Sequence, residues 1–229
     1  MHRTKGAYRM YMIVVGAGGV GTGVIALATA EKNEVVVIES DPERAREVSR
    51  EYDVVVLDAD ATAGETLREA GAERTDALIV TTSDDAVNLM VVSMAVEFHI
   101  NSVVSVVNDK DHAAFFRRLG ATVMQNPEEI VAAHLYNVAR RPRVQDFVAL
   151  PEESQLFRLE LHAKSPLAGR TVAQCTDDGR IPETMRIVSV LRGGKKSLAE
   201  ADTKLKEGDL VTFFSLNGVP DGLFAKLIG

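Results

Sequence analysis

The sequence predicts an α/β protein: a parallel sheet covered by helices, followed by a second, smaller α+β domain. Three observations carry this. Over about the first 140 residues, short β-branched runs alternate with longer amphipathic stretches, the pattern of strands and crossover helices. Those strands are apolar at nearly every position, as in a sheet buried on both faces. After the basic, proline-containing segment Arg140-Arg141-Pro142-Arg143 the pattern changes to short β-like runs set apart by glycine turns.

In chain order, the predicted strands of the first domain are 10–15, 34–39, 54–57, 77–81, 102–107 and 121–124. Helical stretches open near Gly19, Pro42, Thr62, Asp85, Asp109 and Pro127. Ser40-Asp41-Pro42-Glu43 places a capping side chain before a proline in the first turn, with an acidic residue following. Asn126-Pro127-Glu128-Glu129 repeats the device. In the second domain, β-like runs at 156–161, 187–191 and 210–214 are separated by turns at Arg192-Gly193-Gly194-Lys195 and Glu207-Gly208-Asp209. The expected division is a nucleotide-binding domain over 1–140, a linker over 141–151 and a C-terminal domain over 152–229.

Composition narrows the function classes. The 229 residues are 46% hydrophobic and 26% charged, ordinary for a globular protein. A formal net charge of −7 argues against nucleic acid as a partner and against anionic membrane surfaces. The single cysteine, Cys175, cannot close an internal disulfide, which fits a reducing cytoplasm. The richest apolar stretch, 89–96, is far short of the roughly 18–20 residues of a membrane helix. The polar residues 1–9 lack the apolar core of a signal peptide. Action at a membrane would therefore run through a separate partner.

The chemistry begins at Gly16-Ala17-Gly18-Gly19-Val20-Gly21, directly after the first strand and opening the first helix. This is the G-x-G-x-x-G pattern of a Rossmann-type dinucleotide fold in its required context. Gly16 permits the tight turn, Gly18 lets backbone amides approach a phosphate, and Gly21 lets helix pack closely on strand. The helix N-terminus supplies partial positive charge. Glu39 ends the second strand, eighteen positions after Gly21. An acidic side chain there accepts hydrogen bonds from ribose hydroxyls and repels a 2′-phosphate, favouring NAD(H) or an adenine nucleotide over NADP. Asp60, Ala61 and Thr62 after the third strand, and Thr82 and Ser83 after the fourth, stand where carboxyl ends of parallel strands line the ligand crevice. Asp60 or Thr62, and Ser83 or Asp84, can equally be helix caps. His2, His99, His112, His134 and His162 are scattered without metal-ligand spacing, so no metal is expected. Cys175 reads as a packed core residue.

The order of these segments resembles the TrkA/KtrA family, also called RCK or KTN proteins. The resemblance rests on the glycine motif, Glu39 with Asp41, Asp60-Ala61-Thr62 with Leu67 and Ala70-Gly71, and Asp76 before the fourth strand. It continues through Asp85 with Asn88, and through Leu119-Gly120-Ala121 with Pro127-Glu128. In the second domain it is carried by Ser165-Pro166-Leu167-Ala168-Gly169-Arg170-Thr171, Arg192-Gly193-Gly194 and Gly208-Asp209. The resemblance implies a cytoplasmic regulatory subunit that binds NAD(H), ADP, ATP or AMP. It implies a homodimer with exchanged helices or a larger ring, acting on a separate membrane potassium-translocating subunit of Trk or Ktr type. This chain departs from the family pattern at three places. Gly19 and Val106 stand where many members carry arginine, and Ala59 stands where glycine usually precedes Asp-Ala-Thr. With two cations missing, a triphosphate has fewer partners than in those members.

Two other functions compete with a potassium-uptake regulator. An NAD-dependent oxidoreductase needs a proton-transferring group beside the nicotinamide. Strands four and five instead end in Thr81-Thr82-Ser83 and Val106-Val107-Asn108, so no catalytic residue is expected. A regulatory subunit of another cation transporter would share every motif named here. For the helix over 127–140, apolar Ile130, Val131, Leu135 and Val138 recur at helical spacing with Tyr136 beside them, which reads as core or as a dimer interface.

Overall fold

The computed structural model describes residues 9–141, 143–150 and 153–228. The expectations about the N-terminal nonapeptide (save Arg9) and about Pro142 fall outside these residues. The chain forms two compact units, 1–127 and 128–229.

The N-terminal unit holds six parallel strands in the order β3-β2-β1-β4-β5-β6. They are β1 (Tyr11–Val15), β2 (Glu34–Glu39), β3 (Val55–Asp58), β4 (Ala77–Val80), β5 (Val103–Val107) and β6 (Thr122–Gln125). The helices are α1 (Gly19–Ala30), α2 (Pro42–Glu51), α3 (Thr66–Glu69), α4 (Asp85–Glu97) and α5 (Ala113–Arg118). The Rossmann-type fold predicted from the sequence is borne out. Each face of the sheet has its own core. Val14, Val35 and Val37 pack with Ile25 and Ala28 of α1 and Val48 of α2. Ile13, Val15, Leu78 and Val80 pack on the other face with Val91, Val92 and Ala95 of α4 and Phe116 of α5. Asp41 caps α2 as expected, accepting from Glu43 and Arg44 amides at 2.8 and 3.2 Å.

Two helix starts differ from expectation. No helix opens at Thr62: Asp60 accepts from the Thr62 amide and hydroxyl, both at 2.8 Å, and this side-chain turn delays α3 to Thr66. Near Asp109 a short 3₁₀ turn (Lys110–His112) precedes α5, because Asp109 caps that tighter turn through the Asp111 amide.

The C-terminal unit takes in α6 (Pro127–Arg140) from its second residue and holds β7 (Val144–Ala149), β8 (Gln155–Glu160), β9 (Met185–Arg192), β10 (Lys195–Leu198) and β11 (Leu210–Ser215), with α7 (Val172–Asp177) and α8 (Asp221–Ile228). Its antiparallel sheet runs β10-β9-β11-β8-β7. Phe157 and Phe213 stack with centroids 5.2 Å apart, and Phe224 of α8 meets Phe157 edge-on at 4.8 Å. Cys175 of α7 is buried in the same core. The expected α+β character stands. The stretch 141–151, expected as a linker, carries β7, and the contacts divide at Pro127 instead of at 140.

Candidate functional site

Strand register sets the site. Val15 pairs with Ile38 on one side and Val80 on the other, so Gly16 leaves the sheet between Glu39 and Thr81. This is the point where strand order reverses, and in open α/β sheets ligands bind there, beyond the carboxyl ends. Gly16 has φ +89° and its amide donates to Ile38 O at 2.9 Å, giving the tight turn. A β-carbon at Gly16 would lie 3.1 Å from the Thr82 methyl, and one at Gly21 only 2.0 Å from Gly16 O. These two glycines are therefore demanded by the fold. Gly18 and Gly19 are not, since a β-carbon there meets nothing within 4 Å.

That empty space lies at the start of α1. Gly18 is its N-cap, with no side-chain cap and no acidic residue in the first turn. The first helical bond runs from the Thr22 amide to Gly18 O at 2.8 Å. The Gly19, Val20 and Gly21 amides consequently have no acceptor within the helix. Gly19 and Val20 are exposed while Ala17 is buried. Amides, helix dipole and the missing side chains suit an anion such as a phosphate.

Glu39 is 5% exposed. One carboxylate oxygen accepts from the Ala17 amide at 2.7 Å and the other from the Asp41 amide at 2.8 Å. It thus ties the glycine loop to the end of β2, and each oxygen retains a lone pair for a further donor. Thr81 Oγ1 lies 2.9 Å from Gly16 O, bracing the loop from the β4 side. Thr82 sets its methyl against Gly16 and its hydroxyl toward Asn88.

The remaining predicted positions line up less closely. Ser83 is exposed, and the cap of α4 is Asp84, accepting from Ala86 and Val87 amides at 2.8 and 3.3 Å. Asp60 is exposed, its carboxyl held below the usual range by the Thr62 amide and hydroxyl, and Ala61 is buried. Val106, where an arginine was conceivable, is 6% exposed inside the sheet.

The sequence singled out Asp85 and Asn88 only as part of the family pattern and gave them no role; the structure makes them a polar clamp beside this crevice. Asn88 is fully buried and donates to Thr82 O at 3.0 Å and Val106 O at 3.2 Å, joining the ends of β4 and β5. Asp85 accepts from the Asn108 amide at 2.8 Å, the Asp109 amide at 2.9 Å and His112 Nδ1 at 2.8 Å. Burial pushes the Asp85 carboxyl up, but these donors together hold it below its ordinary value. The same contact raises His112. The signal was Asp85 and Asn88 three apart at a helix start, which places both on the side facing the next strand.

Among the described residues no group of His, Cys, Asp or Glu is arranged to hold a metal, and no helix is long and apolar enough to cross a membrane.

Comparison with known proteins agrees with this geometry. The TrkA-N domain model matches residues 12–127 and the TrkA-C domain model residues 156–216. The chain is 30% identical over 210 residues to the Trk system potassium uptake protein TrkA of Azorhizobium caulinodans, covering 89% of this chain but 45% of that protein. It is 24% identical to the TrkA homolog of Methanothermobacter thermautotrophicus, covering 89% of this chain and 92% of that one. In fold it is similar to the GsuK channel bound to NAD, with a TM-score of 0.62 and 19% identity over 98% of this chain and 40% of that chain. The TrkA-N domain of the inner membrane protein ybaL of Escherichia coli gives 0.51 and 23% over 57% of this chain. The chain thus spans less than half the length of the Azorhizobium protein and of the GsuK channel. With the glycine loop and Glu39 inside a TrkA-N match that takes in just over half of the chain, and a TrkA-C match beyond it, the protein belongs to the TrkA family.

Proposed function

We propose that this protein is a cytoplasmic regulatory subunit of a potassium uptake system. In this reading the N-terminal unit binds NAD(H) or an adenine nucleotide through Gly16 to Gly21 and Glu39, with Asp60, Ala61, Thr62, Thr82 and Ser83 around the base and ribose. The observation that carries it is the open N-terminus of α1, flanked by a buried carboxylate at the point where strand order reverses. Relatives named as Trk potassium uptake proteins and a structural neighbour described as bound to NAD support it. The partner is a separate membrane potassium-translocating subunit of Trk or Ktr type, and the protein works at the inner face of the membrane without catalysing a reaction. Assembly into a homodimer or larger ring is supported by α6, where Ile130, Val131, Leu135 and Tyr136 are each more than half exposed. Burying the same patch on two copies is the commonest route to a symmetric dimer.

The test is calorimetric titration of the wild type and Glu39→Ala with NAD⁺, NADH, AMP, ADP and ATP. Loss of hydrogen bonds to a charged group, about 1.5–3 kcal/mol, should weaken binding roughly 10- to 150-fold. No binding by the wild type, or the same affinities in both proteins, overturns the site.

A further inference from the structure

The polar groups beside the glycine loop form one connected path that ends on a titratable side chain. Thr82, whose methyl stands against Gly16, has its carbonyl held by two side-chain amides. Asn88 Nδ2 reaches it at 3.0 Å and Asn108 Nδ2 at 3.3 Å. Asn108 is held in turn by Asp85, whose Oδ1 accepts from its Nδ2 at 2.9 Å and its backbone amide at 2.8 Å. The other oxygen, Oδ2, takes the Asp109 amide at 2.9 Å and His112 Nδ1 at 2.8 Å. From the imidazole the path thus runs through Asp85, Asn108 and Thr82 to the glycine loop, all within the N-terminal unit.

The Asp85 side chain is 9% exposed and that of His112 49%. The imidazole can therefore exchange its proton with solvent while its partner stays fixed inside. Among the described residues, His112 is the histidine at this end of the sheet. His99 follows the C-terminal end of α4, and His134 and His162 belong to the other unit. The charged groups facing the ring are Asp85 from α4 and Asp109 and Asp111 on its own turn, where Lys110 also stands. The bond to Asp85 favours the imidazolium most, partial burial opposes it, and the carboxylates of Asp109 and Asp111 add to it. The ends of β2 and β3 bring Glu39 and Asp58 to the same edge of the sheet. A phosphate-bearing ligand meets carboxylates here, and a proton gained nearby offsets part of that repulsion.

We infer that His112 is a positioning residue of the nucleotide site, and that its proton is bound together with the ligand. The inference rests on the site proposed above. A charged imidazole is the stronger donor to Asp85. It fixes that carboxylate in place for Asn108, and so holds Thr82 beside the glycine loop, while its charge favours an anion in the same crevice. Both effects have one sign. The ligand-bound protein holds the proton more tightly than the free protein. Affinity is therefore full below the free protein's histidine value and falls as pH rises through it toward the bound value.

The test is titration calorimetry of the full chain with NAD⁺ and with ADP from pH 6 to 9, beside His112→Asn. The asparagine amide nitrogen can stand in for Nδ1 as a donor without titrating. Each profile is read as the ratio of wild-type to variant affinity, which cancels the titration of the ligand itself. That ratio should fall at least about fivefold over the range. Imidazole resonances of the wild type give a second measurement. With ligand bound, His112 should keep its proton to higher pH by the same factor, because linkage is reciprocal. A ratio constant with pH, or a His112 titration that the bound ligand does not move, overturns the coupling and leaves the nucleotide site standing. Binding of neither probe at any pH overturns the site and the coupling together.

Discussion

In β1 of the N-terminal unit, Ile13, Val14 and Val15 are all at 2% exposure or below, although they point alternately to opposite faces. In β9 of the C-terminal unit, Met185 and Ile187 are buried while Arg186 and Val188 between them are exposed. The first sheet is enclosed by helices on both faces, so the edge where its strands end is the natural place for a ligand to enter. The second sheet has α7 and α8 contributing Cys175, Phe224 and Leu227 to one core. The comparison teaches that the same chain builds one unit around a sheet closed on both faces and the other around an aromatic centre. The two should respond to different perturbations.

The largest effect is expected from the aromatic centre. Phe157 is fully buried between Phe213 and Phe224. Phe157→Ala should destabilise by about 3–5 kcal/mol. Hydrogen exchange followed unit by unit should show lost protection in β8, β9 and β11 with β1 and β4 unchanged. An equal loss in both sheets would mean that the units unfold as one, and would break the comparison.

Within the glycine loop the contrast can be sharpened to two positions. Gly21→Ala forces a methyl against Gly16 O and should destabilise the N-terminal unit by about 1–3 kcal/mol. Gly18→Ala meets only open space, so the melting temperature should hold while nucleotide affinity falls. Thermal scans and titration of both variants measure this. A Gly18→Ala protein with full affinity would place the ligand away from α1.

The smallest effect separates the units by pH. His112 is raised by its contact with Asp85, so its stabilisation is complete below the ordinary histidine value, about 6.5, and fades as pH rises through the raised value. Asp209 in the C-terminal unit is opposed by burial, but the Arg192 guanidinium holds its carboxyl below the ordinary range. That pair weakens only as pH falls through the lowered value, and arginine stays charged at the alkaline end. Melting curves from pH 6 to 9 should therefore show an alkaline decline confined to the N-terminal unit and absent in His112→Gln.

Legibility in the sequence follows the same division. Every parallel strand was readable within a residue or so at its ends: burial on both faces gives β1 and β2 near-continuous apolar runs, and the edge strands β3 and β6, though partly exposed, keep enough apolar residues to mark them. The glycine loop, Glu39 and the Asp41 cap were readable because each is a local pattern. β7 was not: a bulge at Asp146, with φ +47°, puts buried Val144 and Phe147 three apart and destroys the alternation. β10 is exposed at all four residues, leaving no hydrophobic signal. The Asp85–His112 contact joins residues 27 apart, and only the fold brings them together.

The bond from Glu39 to the Ala17 amide has a kinetic meaning. Because both carboxylate oxygens hold backbone amides, the loop is braced by bonds within the protein itself. Capture then has little chain to order, and the entropy penalty that slows and weakens induced binding is largely absent. Nucleotides that differ in their phosphates should accordingly share similar association rates and be distinguished by how long they remain. In the proposed regulator, the composition of the nucleotide pool would then register through occupancy times rather than through a conformational search.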